Sequence, residues 1–475
     1  MRASRRVVVA GLLAVACSGD GPGPGTTPAQ LVLTASPASA TAGVPLSPAV
    51  KVSVLDSKGN VATSFQGGVH VALAANPGGA TLSGTTTVSA TAGVATFSNL
   101  MLDKSGTGYT LVVSSNGLAG DTSSALTVVP GAVSAAQSSV SAAPAAIAAS
   151  TGSSAATVTV TARDAFGNLV PGVIVSLAAT GSGNTITPPT GPTDAAGVAK
   201  GTLSSTVAGT KTVSATAGGV SVSQTASVVV AAGSAIRLRF VTQPTNAAAG
   251  AVISPPLQLE ARDVFGNLAT SYTGNVTIAI AASPAPGTLS GTKTVPMANG
   301  AASFGDLSID KVGAGYTLQV TASPVLTPDT STSFDITAGP PAQLAFLVQP
   351  TNTTGGTAIA PAVQVEIRDA AGNRVTTATN SVTLALGTNP KGGALSGTTT
   401  VTAASGVATF GSLAIDSAAT GYTLAASAAG VPGGATSNAF NVAVGAAAQL
   451  GFRVQPASTT GGTVITPAVQ VEIRD

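Results

Sequence analysis

Across its 475 residues the chain has one Cys, one His and no Trp, and only 36 Lys, Arg, Asp and Glu, 8% of the total. Each shortage excludes a class of function. A lone Cys cannot form an intramolecular disulfide framework or a Cys-based zinc site. A lone His leaves no multi-His metal site and no catalytic triad of the usual kind. Nineteen basic against seventeen acidic residues give a net charge of +2 without basic runs, which argues against nucleic acid as a partner. What the chain has in abundance is Gly (57) and Pro (29), the residues of turns. The ordinary domain length of roughly 150 residues predicts about three domains.

The amino terminus reads as an export signal over residues 1–16. Arg2, Arg5 and Arg6 precede an apolar stretch at 7–16, too short for a permanent membrane helix of about 20 residues. Ala14-Val15-Ala16-Cys17 resembles the bacterial lipobox, although that motif favours Leu where Ala14 stands. The resemblance implies cleavage before Cys17 and lipid attachment to it, hence a membrane partner through the anchor and an outer-membrane or cell-surface lipoprotein. A plain secretory signal is the alternative, and Ser4-Arg5-Arg6 fits the start of a twin-arginine signal whose remaining consensus is weak. Residues 17–28 are a Gly/Pro tether.

Internal repetition decides the fold. Phe240, Phe346 and Phe452 recur at a step of 106 residues, as do Pro244, Pro350 and Pro456. The step divides the chain into units at 29–131, 132–234, 235–340 and 341–446, with residues 447–475 starting a fifth. Within the units the apolar period is two: Val50, Val52 and Val54; Leu257, Leu259 and Ala261; Val363, Val365 and Ile367. That alternation predicts half-buried strands, and many short strands with Gly-rich turns predict an all-β chain of tandem immunoglobulin-like β-sandwich domains. The strands run into Asp-x-x-Gly-Asn turns starting at Asp56, Asp164, Asp263 and Asp369.

Tyr109, Tyr316 and Tyr422 share one repeat position, each in Gly-x-Gly-Tyr or a close variant followed by Thr-Leu. In an immunoglobulin-like sandwich a Tyr opening a late strand hydrogen-bonds an upstream turn, and the three are assigned to that structural corner. On these residues the units resemble bacterial immunoglobulin-like (Big) domains. The second copy is closest to the invasin/intimin-type Big-1 module, through 158–168, 192–199 and 208–215. The resemblance implies modules that serve as spacers on bacterial surface proteins. Receptor contacts in that family lie in terminal domains, and no such domain is visible here.

No residue stands out for chemistry. His70 sits where the other copies have Thr277 and Thr383, a solvent-facing position. The Asp turns offer oxygens, but calcium takes about six to eight and no dense acid cluster supplies them. Local turn-capping by Asp is the favoured reading, with sites where several turns converge at a junction left open. No Gly-x-Ser-x-Gly elbow stands before a helix, paired carboxylates are lacking, and Phe97, Phe304 and Phe410 read as core. No cofactor and no enzymatic activity are expected. Short junctions at 129–131, 231–233, 338–341 and 444–447 predict a semi-rigid stalk for adhesion or display, with an unidentified cell-surface or extracellular ligand at most. The alternative is the spacer of an exported enzyme or carbohydrate-binding protein whose active domain lies beyond residue 475. The break within a fifth repeat predicts a truncated frame and a segment 447–475 that is disordered or borrows a partner.

Overall fold

The structure, a computed structural model, describes residues 27–474. The export signal, Cys17 and most of the 17–28 tether lie outside the described residues. Every regular element among the described residues is a strand, and no helix there is long and apolar enough to cross a membrane.

The chain divides into two compact units, residues 1–231 and 232–475. The first unit holds two sandwiches. In its first sandwich, strands Pro28–Ala35, Val50–Asp56 and Val94–Phe97 form one sheet. The opposite sheet is built around Gly106–Ser114, flanked by Gly68–Ala75 and Leu126–Val129, with Ser39–Thr41 added in parallel at its edge. The alternation of apolar residues sets which side faces in. Val50, Val52 and Val54 are fully buried and pack with Val69, Val71, Phe97, Tyr109, Leu111 and Val113. Strand side chains alternate faces, so these residues necessarily share one side of their strands. The second sandwich has a four-stranded and a five-stranded sheet around Val158, Val160, Leu203, Val213 and Val228.

In the second unit, the sandwich at 237–337 repeats the three- and six-stranded arrangement of the first. The next one, at 343–443, differs in that its sheets meet at a seam. Gln343 pairs in parallel with Gly433, which joins seven strands into one continuous sheet. Phe304 and Phe410 lie at the centre of these two cores. Residues 447–474 are not the unstructured segment expected from their length. Gln449–Val454 pairs with Gln470–Arg474 in antiparallel register. The ladder forms on local complementarity, but no second sheet covers it among the described residues. Leu450 and Ile473 are consequently 73% and 72% exposed.

Candidate functional site

Within each compact unit, the two most regular motifs of the chain meet at the joint between its sandwiches. The first is the Asp-x-x-Gly-Asn turn. Asp164 Oδ1 accepts hydrogen bonds from the amides of Phe166 and Asn168, both at 2.9 Å. Its Oδ2 accepts from Asn168 Nδ2 at 2.8 Å. Gly167 closes the turn at φ +80°, where a side chain would be strained. So far this is the local capping that the sequence predicts.

The fourth donor is not local. Asp164 Oδ2 also accepts from the amide of Gly131, in the linker that enters the same sandwich, at 2.8 Å. Gly233 donates to Asp263 Oδ2 at 2.9 Å and Gly339 to Asp369 Oδ2 at 3.0 Å. The aspartate therefore fastens the incoming linker to the sandwich it enters. Asp164, Asp263 and Asp369 are all buried. Burial alone would raise their carboxyl pKa values. The hydrogen bonds, from the Asn side chain first and the linker Gly next, outweigh it and hold all three below the ordinary aspartate value.

The second motif is the tyrosine. Tyr109, Tyr316 and Tyr422 are fully buried, and their hydroxyls donate to the carbonyls of Lys104, Lys311 and Ser417 at 3.0, 2.9 and 2.8 Å. Each bond spans five residues and so shapes the loop just before the strand. In the third and fourth sandwiches the ring also lies 6.2 Å from Phe334 and Phe440 respectively, in a tilted pair. The second sandwich has no Tyr here. Tyr109 pairs with Leu126 across the sheet, and the matching partner of Val228 is Lys211. Lys211 is buried, and its Nζ donates to the Ser182 carbonyl at 3.0 Å. A long side chain with a terminal donor keeps the arrangement, an apolar stem in the core and a polar tip on a loop carbonyl. Superposing Gly-Tyr-Thr-Leu on Thr-Lys-Thr-Val would have revealed it in the sequence.

The two motifs are halves of one joint. Within the first unit, the Asn of the second sandwich's turn reaches the loop that Tyr109 holds in the first. Asn168 Nδ2 donates to the Asp103 carbonyl at 2.8 Å, and Asn168 Oδ1 accepts from the Ser105 amide at 3.0 Å. With its other N–H on Asp164, the amide of Asn168 is fully used. Aspartate could not replace it, having no donor. Lys104 Nζ adds a bond to the Phe166 carbonyl at 2.7 Å. The Phe166 ring lies over Gly43, where a Cβ would come within 1.9 Å of Cε2. Within the second unit the same joint recurs. Asn373 Nδ2 donates to the Asp310 carbonyl at 2.8 Å, and its Oδ1 accepts from Val312 at 3.4 Å. There Ala371 stands where Phe166 does, and the joint lacks the ring contact. Two hydrogen bonds at about 0.5–1.5 kcal/mol each favour the docked arrangement over free swing by a factor on the order of 10–100.

The other candidates are plain by comparison. His70 is exposed and its Nδ1 lies 3.1 Å from Thr87 Oγ1. The equivalent cross-strand pairs, Thr277 with Thr294 and Thr383 with Thr400, are 2.9 Å apart. Among the described residues no group of three or more His, Cys, Asp or Glu could hold a metal.

Fold and joint together define an array of immunoglobulin-like β-sandwiches, all-β throughout the described residues. Residues 137–229 match the family model of the bacterial Ig-like domain (group 1), and the match falls on the second copy, the one whose sequence resembles the Big-1 module. No curated protein matches the sequence. Among solved structures the chain is similar to the Escherichia coli adhesin FdeC, at 20% identity and TM-score 0.38 over 66% of this chain and 99% of that one. It is also similar to invasin, a bacterial integrin-binding protein, at 16% identity and TM-score 0.34 over 87% and 79% of the two chains. InvD of Yersinia pseudotuberculosis is a third, at 21% identity and TM-score 0.34 over 64% and 96%.

Proposed function

We propose that the protein is an exported, lipid-anchored bacterial surface protein whose tandem sandwiches form a semi-rigid stalk for adhesion or display. The observation that carries the reading is the bridging of neighbouring sandwiches by Asn168 and by Asn373, each set on a linker-clamping aspartate. A spacer needs this and little more: independent cores, short linkers and joints that resist swinging. The scarcity of charge suits a stalk that attracts few partners nonspecifically. Adhesion proteins among the similar structures agree with a surface role, and Cys17 supplies the attachment point.

Small-angle scattering on the intact soluble chain tests the stalk. An elongated particle is expected, and Asn168→Ala with Asn373→Ala should shorten its mean dimensions at a temperature well below the variant's own unfolding. A compact particle, or dimensions indifferent to both substitutions, would overturn the stalk. For the anchor, Cys17→Ser should move the protein from the membrane fraction to the soluble fraction of the producing cell. Unchanged fractionation would remove the lipid attachment from the reading.

A further inference from the structure

The third sandwich carries a feature that neither its fold nor the joints require. Strand Arg237–Phe240 turns Leu238 and Phe240 into the core and leaves Arg237 and Arg239 on the solvent side. Alternate strand residues lie about 6.6–7 Å apart on one face, so the two arginines stand side by side on it. The positions have uncharged occupants elsewhere: Gln30 and Val32 in the first copy, Gln343 and Ala345 in the fourth. Sandwich formation therefore does not call for arginine here. In a chain with only 8% charged residues, two cations on one short strand need another reason.

The surroundings do not neutralise them. Glu260, opposite Arg239 in the sheet, is engaged by Arg262. Arg237 leans towards Gly266 of the turn, and no ion pair from Arg237 or Arg239 forms among the described residues. The pair borders an open groove of about 510 Å³, lined further by Gln243, Asp329, Thr330 and Thr332. Asp329 Oδ2 is taken by the amide of Phe240 at 2.8 Å, which leaves the second carboxylate oxygen available as an acceptor. The corresponding seam of the first sandwich has the same aspartate arrangement, Asp121 on the amide of Leu33 at 2.8 Å, but no arginine.

We infer that this groove binds an acidic saccharide. Guanidinium forks pair with carboxylates in two parallel hydrogen bonds, and Arg237 and Arg239 supply two forks at strand spacing. The free oxygen of Asp329 and the hydroxyls of Thr330 and Thr332 meet sugar hydroxyls. Asp329 offsets one of the two positive charges, which leaves the groove at a net charge of +1 and favours a carboxylated sugar over a neutral one. The lining has no exposed aromatic ring, so stacking of nucleic-acid bases has no platform.

The proposal stands apart from the stalk reading and is tested on the intact chain by titration calorimetry with an oligogalacturonate. Its methyl ester, a neutral dextran, single-stranded DNA and phosphatidylglycerol vesicles serve as comparators. Arg237→Gln with Arg239→Ala installs the residues of the fourth copy, so the sandwich should keep its melting temperature. Binding of the oligogalacturonate is expected to weaken at least tenfold in this variant and to fall with added salt, with the ester and the dextran inert. No binding by the native chain, equal affinity in the variant, or equal binding of the ester overturns the proposal. Tighter binding of DNA or vesicles that the same variant abolishes overturns it too, because the arginines then serve a different anion. If Arg237→Gln with Arg239→Ala lowers the melting temperature, Arg239→Ala alone provides the same comparison.

Discussion

Asp164→Ala is expected to destabilise the second sandwich by about 3–4 kcal/mol, a large part of the roughly 10 kcal/mol that a domain of this size has. The carboxylate receives four donors, and the substitution strands them together: the amides of Gly131, Phe166 and Asn168 and the side chain of Asn168. Bonds to a charged acceptor contribute about 1.5–3 kcal/mol each, but donors on a turn recover part of this from water, so the sum is not additive. Hydrogen exchange resolved by segment is the suitable measurement, because a multi-domain chain does not unfold in one step. Protection should fall across strands Ala156–Thr161 and Val198–Ser205 and remain intact in the third and fourth sandwiches. Unchanged protection there would show that the clamp contributes nothing.

The same carboxylate sets a pH dependence. Its folded pKa lies below the ordinary value, as do those of Asp263 and Asp369. The stabilisation is therefore complete above the ordinary aspartate pKa of about 4 and is lost as pH falls through the lowered values. In the Asp164→Ala chain, acid should cost the second sandwich less than it costs the native one.

Tyr422→Ala is expected to cost the fourth sandwich about 3–5 kcal/mol, the range for emptying a buried aromatic site. The ring is fully buried against Phe440, so little rearrangement can fill the space. Tyr422→Phe isolates the hydroxyl, which donates to Ser417, and should cost about 0.5–1.5 kcal/mol. The ratio of the two is informative. Equal losses would mean that the hydroxyl carries the site, and no loss for Phe would mean that the loop carbonyl finds water without cost. Exchange protection of strands Leu424–Ala428 and Phe440–Ala443 reads both.

Much of this architecture is written in short-range patterns. Val50, Val52 and Val54 announce a half-buried strand because a pleated backbone leaves no other way to hide them, and the 106-residue step announces repeated sandwiches. The joint is harder to read. The shared position of Tyr109, Tyr316 and Tyr422 is visible in the sequence, but what the loop before it touches is not. Asn168 and Asp103 are 65 residues apart, and such a contact leaves no periodicity. The role of Asp164 in the linker was hidden by its local one. A carboxylate with two amides and an Asn nearby already looks satisfied, so nothing in the motif asks for Gly131. Arg237 and Arg239 are not legible as a site, because two arginines on a strand resemble an ordinary solvated face without the neighbouring groove and the committed Glu260.

The division of each joint between two neighbouring repeats bears on how such a chain changes length. One repeat contributes the loop and the next contributes the turn, and both kinds of surface recur with the same chemistry. Phe265 stands in the third copy where Phe166 stands in the second, so the third copy's turn already has the ring that Gly43 accommodates. Excision of residues 132–233 would put Gly131 in the place of Gly233 and bring loop 103–105 against turn 263–267 with every partner type in place. The shortened chain is expected to protect the Ser105 amide from exchange as the native chain does, and loss of that protection would show the copies to be individually fitted. Interchangeable couplings let recombination between repeats lengthen or shorten the protein by whole modules, with no new interface to evolve each time.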